Sequence, residues 1–403
     1  MRNSQSLTRD LEEARTAALV GPGKRDLRLD LLRGIGQWMV FLDHIPHDFL
    51  NWFTIRNYGF SDAAEIFVFI SGYSIGFSYG PAVRFGLFIA AAKRLWTRAS
   101  QLYVAHILLF LLLTAQIART ARRFDNPMYK DEFNVAQFLD KADVMIGQAL
   151  LLKFKPVDLD VLPLYIVLML AAPLVLWSAL RKPNWALVCS AVLYLLARHF
   201  DWNFPSFPGG KWYFNPFAWQ LLFVFGIWCG FGGGPAVRTA ALSRPITIIA
   251  AAWLIFAFLI VMTWHIPALG RFVPQWLNQM IYPIDKTNLS PLRLSHFLAL
   301  LVVLIRALPP YSPGYASSWL RPLILCGQRS LPVFCTGVLL SFAAHWILVQ
   351  VAGGMIAQIL VGIAGISLLV GIAWIATWYR GVPTLYGTET HVIRITDGVQ
   401  RIE

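Results

Sequence analysis

The chain has 403 residues, of which 57% are hydrophobic and 14% are charged, and its mean hydropathy is +0.57. A soluble domain carries about 25% charged residues, so this composition excludes a water-exposed globular surface and predicts a protein embedded in lipid. The formal charge of +13 does not indicate nucleic-acid binding, because many of the basic residues flank apolar segments and none belongs to a compact basic domain with interleaved aromatic residues.

Apolar stretches of about twenty residues predict an all-α polytopic membrane bundle of about ten transmembrane helices. Residues 1–28 form a polar N-terminal tail, residues 29–379 the transmembrane domain, and residues 380–403 a C-terminal tail. The first apolar run starts late and lacks a small-residue cleavage site, which favours an uncleaved first helix over a signal peptide. The predicted spans are 29–46, 62–79, 99–118, 161–180, 184–198, 216–233, 246–264, 291–308, 330–350 and 355–379.

The distribution of lysine and arginine predicts that both termini lie in the cytosol. With ten spans, the cytosolic segments carry 20 basic residues and the outer segments carry 11, in the direction of the positive-inside rule. Segment 119–160 runs against this trend, since it carries seven basic and seven acidic residues on the predicted outer side. The side on which this segment lies therefore stays open.

The first span carries an unusual stripe of polar residues. Arg33 and His44 are eleven residues apart, which on a helix is about 20° from alignment and about 16 Å along the axis, and Asp30 and Gln37 fall near the same stripe. Ionisable residues inside a span normally face a polar interior. His44 is a candidate general base, Asp43 a candidate for orienting it, and Arg33 a candidate for holding an anionic donor.

A purely structural interpretation of this stripe is also open. Asp30 and Arg33 are spaced to pair near the interface, and His44 would then anchor the far headgroups. Asp43 is a weak partner for His44 because adjacent residues on a helix do not face each other.

The second span begins with two acids one helical turn apart, Asp62 and Glu65, and carries the hydroxyls of Ser71 and Tyr73 deeper in. All four are candidate substrate-binding residues. Acids at a helix N-terminus also complement the helix dipole, so a structural role for Asp62 and Glu65 is equally compatible with the pattern.

Two further patterns occur beside these spans. Gly72 and Gly76 form a small-xxx-small pair, which predicts close approach of a neighbouring helix. Arg94 and Arg98 precede the third span and are candidates for binding the phosphates of a nucleotide-bearing donor. The positive-inside rule explains their position equally well.

Polar and aromatic residues at the predicted outer mouths of the later spans suggest a sugar-binding vestibule. Asp285 and Arg293 are the strongest candidates, and ordinary loop polarity with an interfacial aromatic belt is the alternative. The other members of this set are Asp158, Asp160, Lys286, Asn288, Trp212, Tyr213 and Trp219. No spacing typical of a metal site, a nucleotide-binding glycine loop or a nucleophile elbow is present, so we expect no metal and no ATP-driven pump.

Several of these stretches resemble the OpgC family of membrane succinyltransferases, which act on osmoregulated periplasmic glucans. The resemblance extends from about residue 25 to residue 378, and the spacing of Arg33 and His44 also resembles a wider superfamily of ten-span acyltransferases. The stretches are RLDLLRG, FLDHIP, WFTIRNYGFSDAAEIFVFISGYS, VDLDVLPLYIVLML, WYFNPFAWQLLF, DKTNLSPLRL and GQRSLPVFCTGVLL.

The resemblance implies transfer of an acyl group, with succinyl the best candidate, from cytosolic acyl-CoA to a sugar hydroxyl outside a bacterial inner membrane. His44 then matches the proposed catalytic histidine, Arg33 the arginine that meets the donor, and Ser71 to Tyr73 an SGF/SGY element. Acyl-CoA is a co-substrate, and no tightly bound cofactor is expected.

A secondary transporter or flippase for a glycan or organic anion is the alternative function. It would also need charges within the membrane, but it often shows internal repeats, which this sequence lacks. A non-enzymatic scaffold would leave Arg33 and His44 unexplained. The sequence leaves the acyl group, the acceptor and the oligomeric state open.

Overall fold

The structure is a computed structural model that describes residues 26–46, 48–310 and 312–381. Within these residues the fold is all-α, with one isolated bridge between Pro205 and Lys211 in place of a sheet. Nearly all of both predicted tails lies outside the described residues. Ten helices of 13 residues or more occur in this part of the chain: α1 (Leu27–Asp43), α2 (Ala63–Arg84), α3 (Phe88–Arg123), α4 (Val161–Arg181), α5 (Pro183–His199), α6 (Pro216–Trp228), α7 (Arg244–His265), α8 (Pro291–Ala307), α9 (Ser330–Gln350) and α10 (Met355–Gly381).

Short helical segments connect the long helices. A π-helical turn, in which Gly232 adopts a positive φ of 146°, joins α6 to the helix Gly234–Leu242. Only glycine adopts such a conformation readily, so the chain can bend here within the bundle. The remaining short helices are Phe49–Phe53, Ile55–Asn57, Met128–Glu132, Ala136–Asp140, Ala142–Leu150, Pro267–Gly270, Gln275–Ile281, Pro313–Ala316 and Arg321–Gln328.

Each predicted span overlaps one of the ten long helices. Seven helical segments in the described residues are long and apolar enough to cross a membrane, and α6 is one of them once its continuation to Leu242 is included. The other three, α1, α5 and α8, have 17 residues each, about 25 Å of helix against a hydrocarbon core of about 30 Å. The membrane-helix architecture is therefore established, whereas the number of ten spans stays a prediction.

Helix α3 differs most from its predicted bounds. It has 36 residues and begins at Phe88, eleven residues before the predicted start. One face of its first turns is buried, while Arg94 and Arg98 lie on the exposed face. Because this amphipathic segment contains several charged residues, a search for apolar stretches does not include it in the span. Segment 119–160, predicted as a loop, completes α3 and then forms three short helices.

The predicted close approach at Gly72 and Gly76 is confirmed. A Cβ atom on either glycine would overlap with a backbone carbonyl of α6, and a Cβ on Gly226 or Gly230 would overlap with a backbone carbonyl of α2. The glycines of the two helices therefore interlock, and their backbones meet without intervening side chains, as in small-residue interfaces of membrane helices.

The contact formed by these four glycines, which we call the glycine seam, predicts that Gly76→Ala destabilises the bundle. The added methyl group would overlap with the backbone oxygen of Ile227, and overpacking of this kind costs about 1–3 kcal/mol. Gly371→Ala in α10 is the matched control, because a Cβ there meets open space and alanine raises helix propensity. Thermal unfolding in detergent should show a lower midpoint for Gly76→Ala only, and equal midpoints for the two variants would contradict the seam.

Candidate functional site

The polar stripe of α1 lines a cavity of about 800 Å³ within the bundle. Arg33, Gln37, Val40 and His44 all lie on its wall, and their spacing of four, three and four residues is that of a single helical face. Arg33 and His44 are about 16 Å apart along the helix axis. The two residues on which the sequence interpretation depended therefore line one cavity.

At one end of the stripe, Arg33 is held between two helices. Its Nη2 atom donates to Ser74 Oγ of α2 at 2.6 Å and lies 3.5 Å from the carbonyl oxygen of Ile70. Its Nη1 atom lies 3.7 Å from Asp30 Oδ1, and Asp30 itself is 1% exposed and accepts from Gln328. The predicted pairing of Asp30 with Arg33 thus exists, and the guanidinium still borders the cavity.

At the other end, His44 lies immediately after the last residue of α1. Its Nε2 atom is 3.6 Å from Asp158 Oδ1, and its side chain is 25% exposed. Its Nδ1 atom is buried and has no hydrogen-bond partner among the described residues. Asp158 belongs to the loop before α4, adopts a positive φ of 72° and also lines the cavity.

Asp43 lines the same cavity but is engaged elsewhere. Its Oδ1 atom accepts from the hydroxyl of Thr54 at 2.7 Å, and Thr54 is fully buried in the loop after α1. Consecutive side chains on a helix diverge by about 100°, which explains why Asp158, and not Asp43, meets the His44 ring. A catalytic role of Asp43 stays a prediction.

A buried ion cluster fixes the start of α2 to α8 and to the loop before it. Asp62 Oδ2 lies 2.6 Å from Lys286 Nζ and 3.0 Å from Arg293 Nη2. Arg293 also donates from Nε to Glu65 Oε1 at 2.7 Å. Asp62 and Glu65 form a capping box on α2 as well, so the structural and the site interpretations of these acids hold together. Asp62, Lys286 and Arg293 line the cavity, and Glu65 is fully buried behind them.

The loop before α4 adds two titratable groups with shifted pKa values. Burial raises the pKa of Asp160 to about 6, against the opposing charge of Lys155. Burial likewise lowers the pKa of Lys155 to about 8, and its ammonium group lies 4.3 Å from the ring centre of Trp212. Asp160 borders the cavity, so the cavity wall contains a carboxyl group that titrates near pH 6.

The other predicted donor and substrate residues fall into two groups. Ser71 and Arg98 line the cavity. Arg94 is exposed and lies outside its wall, and Tyr73 borders a second, largely apolar cavity of about 490 Å³. Asp285 accepts from the backbone and side chain of Asn288 and so shapes the loop before α8.

The aromatic residues of the predicted vestibule also fall into two groups, one at the cavity and one in the core. Tyr213 lines the cavity, whereas Trp212 and Trp219 are buried. Trp219 donates from Nε1 to the backbone oxygens of Lys286 and Thr287, so it supports the loop that carries Lys286. Among the described residues, no group of three or more His, Cys, Asp and Glu side chains is arranged to hold a metal ion.

The sequence interpretation did not include Arg56 and Trp264, which line the cavity, or Ser74, which contacts Arg33 beside it. Ser74 lies one turn after Ser71 on α2, and this spacing could have indicated its contact with Arg33. Arg56 belongs to the stretch WFTIRNYGFSDAAEIFVFISGYS and Trp264 ends the predicted span 246–264, but no spacing at either position indicated a site. The cavity as a whole offers an imidazole, carboxylates, guanidinium groups and aromatic faces, which suits proton transfer to or from a polar substrate next to an anionic group.

Comparison with known proteins gives one match. A family model described as OpgC protein matches residues 25–381. No curated protein and no solved structure matches the chain. The match covers every long helix described above and all the residues that line the large cavity.

The ion cluster predicts that Arg293→Met strongly destabilises the protein. Removing the guanidinium leaves Asp62 and Glu65 buried beside a single lysine, and breaking a buried pair costs about 3–5 kcal/mol. Lys211→Met is the control, because Lys211 pairs with Asp201 at the exposed surface, where such a pair contributes about 0–1 kcal/mol. Thermal unfolding of both variants in detergent measures the difference, and similar losses would show that the cluster contributes no special stability.

Asp160 predicts a pH dependence of stability. Because its pKa is about 6 in the folded protein and about 3.9 in an unfolded chain, the folded state binds the proton more tightly. Its contribution to the free energy of unfolding therefore falls as pH rises from about 4 to 6 and is constant above. Asp160→Asn should raise the thermal unfolding midpoint above that of wild type at pH 7 but not at pH 4. The control Asp201→Asn, at the exposed surface, should show no such gain at pH 7. A gain for Asp160→Asn that is the same at both pH values would contradict the raised pKa of Asp160.

Proposed function

Because the matched region spans most of the chain, the protein belongs to the OpgC family, and we propose that it transfers an acyl group from cytosolic acyl-CoA to a hydroxyl of a periplasmic glucan. The family implies an acyltransferase. Succinyl is the acyl group that we favour, and His44 is the general base. The reaction takes place in the cavity that joins the two ends of α1, in a bacterial inner membrane with both termini in the cytosol.

One observation carries this proposal: Arg33 and His44 line the same cavity. A donor in the cytosol and an acceptor outside must meet along a polar path through the bilayer, since unpaired polar groups are costly in hydrocarbon. The stripe from Arg33 to His44 spans about 16 Å of the membrane thickness. This length supports a route in which the donor enters at the Arg33 end and the acceptor hydroxyl approaches His44.

The chemical step follows from the His44 ring. A general base needs the tautomer that carries its ring hydrogen on Nδ1, because Nε2 then holds the free lone pair. Nε2 takes the proton of the sugar hydroxyl while the hydroxyl oxygen attacks the thioester carbonyl. The oxygen–carbon bond forms, the carbon–sulfur bond breaks, and the imidazolium returns the proton to the departing sulfur. General base catalysis of this kind contributes about 10²–10⁴ in rate.

Donor and acceptor would contact opposite ends of the cavity. Arg33 is held in place by Ser74, and with Arg98 on α3 it supplies guanidinium groups for the anionic or carbonyl groups of the donor. Around His44, Asp62, Lys286, Tyr213 and Trp264 line the wall. These side chains offer hydrogen-bonding groups and flat aromatic faces that suit a sugar.

The alternative function, a transporter or flippase for a glycan, would also use a polar cavity across the bundle. It is distinguished by what changes on the glucan. A transferase changes the number of acyl groups on a constant amount of exported glucan, whereas a transporter changes the amount outside.

We therefore expect His44→Ala to abolish acylation without changing export. The initial rate should fall by about 10²–10⁴ because the general base is lost, and mass spectrometry of envelope glucans should show loss of the acyl mass increment, about 100 Da for succinyl. His199→Ala is the matched control, since His199 is an exposed histidine at the end of α5, outside the cavity.

The glucan yield decides between the two functions. Unchanged yield with missing acyl groups supports the transferase. A glucan that disappears from the outside of His44→Ala cells, or that stays fully acylated there, would overturn the proposal. The mass increment in wild-type cells names the acyl group directly.

A further inference from the structure

We infer that Asp158 is a positioning residue for His44: its carboxylate lies beside the imidazole in the cavity and stabilises the imidazolium that forms when the acceptor hydroxyl loses its proton. This inference rests on the proposed function and extends it to a residue far from His44 in the chain. It starts from one distance, 3.6 Å between His44 Nε2 and Asp158 Oδ1.

Asp158 is the carboxylate closest to the charge that develops on His44. It is the one acid within 4 Å of the ring nitrogens in the part of the chain that the structure describes. Asp43, the neighbour on α1, is engaged by Thr54. Asp62 faces Lys286 and Arg293. The other charged groups on the cavity wall are Arg33, Arg56, Arg98 and Asp160, and none of them forms an ion pair with His44.

The loop that carries Asp158 is anchored on both sides. Phe154 and Leu159 are fully buried, and Lys155 is buried with its ammonium group donating to the backbone oxygen of Leu152. The backbone NH of Val157 donates to the oxygen of Phe133 at 3.2 Å. The Asp158 side chain therefore projects from a rigid support, as a residue that orients a catalytic group requires.

The backbone of Asp158 also shows a constraint. Its φ of 72° lies in the left-handed region, which residues other than glycine seldom occupy and which Asp and Asn tolerate best. Such conformations concentrate at functional sites, where the surrounding structure holds them. Here the conformation coincides with the approach of the carboxylate to His44.

The electrostatics favour the transition state over the resting state. Before the reaction, the neutral ring has little attraction for the carboxylate, and 3.6 Å is too long for a hydrogen bond. Once Nε2 holds the proton, an imidazolium faces an anion across a partly enclosed space, where charges interact more strongly than in water. Interactions that strengthen as charge develops raise kcat more than they lower KM. The proton goes from the hydroxyl to Nε2 and then to the departing sulfur.

The test is Asp158→Asn, which keeps the size of the side chain and tolerates the left-handed backbone. Acylation is measured with purified protein in proteoliposomes, using succinyl-CoA and glucan isolated from cells that lack the protein. We expect kcat to fall about tenfold or more, because the charge that faces the imidazolium is lost, with little change in KM.

Two further variants exclude a merely structural role. Asp158→Gly removes the carboxylate while leaving the left-handed backbone unstrained, and added formate should partly restore its kcat by replacing the missing anion. Asp201→Asn, an exposed acid outside the cavity, should keep the wild-type kcat and KM. Monodispersity and thermal unfolding report whether each variant is folded.

The outcomes are distinct. A lower kcat with an unchanged KM in Asp158→Asn, together with formate rescue of Asp158→Gly, supports the inference. A wild-type kcat for Asp158→Asn, a lower kcat of Asp158→Gly that formate does not restore, or failure of both Asp158 variants to fold would overturn it while His44→Ala stays inactive. If His44→Ala is itself active, the proposed function fails, whatever the Asp158 variants do.

Discussion

The structure depends on one constraint: a helix that carries a line of polar side chains within the membrane must keep that line away from lipid. Arg33, Gln37 and His44 lie on one face of α1, and ionisable groups are costly in hydrocarbon. The surrounding helices enclose this face in a cavity instead of packing against it with apolar side chains. The remaining contacts between the helices keep that cavity open. The outer surface of the bundle carries many exposed apolar side chains, as a surface in contact with lipid requires.

Backbone packing of glycines supplies the close contacts that this arrangement needs. The interlocked glycines of α2 and α6 form one such contact. Gly34 of α1 and Gly327 of the helix Arg321–Gln328 form another, since a Cβ on either one would overlap with a backbone oxygen of the other element. Without a hydrophobic driving force between helices in lipid, close backbone approach contributes dispersion contacts that larger residues cannot give. These contacts hold α2 against α6 and α1 against the helix Arg321–Gln328, and both α1 and α2 contribute residues to the cavity wall.

Charged groups complete another part of the cavity wall. Arg293 and Lys286 connect α8 and its preceding loop to the two acids that begin α2. The same acids cap the helix, so a single cluster serves both local structure and the shape of the site. The loop before α4 brings Asp158 to His44 from the opposite side. The chemistry that we propose therefore uses side chains from α1, α2, α8 and two loops, which only the complete bundle assembles.

The sequence alone determined the membrane-helix class, the positions of the long apolar helices, the glycine seam and the polar stripe, because each follows from a local period or from composition. The family also followed from local motifs. Only the tertiary structure decided which residues meet: Asp158 and not the adjacent Asp43 faces His44, Arg98 and not Arg94 borders the cavity, and Trp219 supports a loop from the core. These partners are set by packing between elements distant in the chain. A period along one helix specifies the face on which a residue lies, but the fold of the other helices determines what that face contacts.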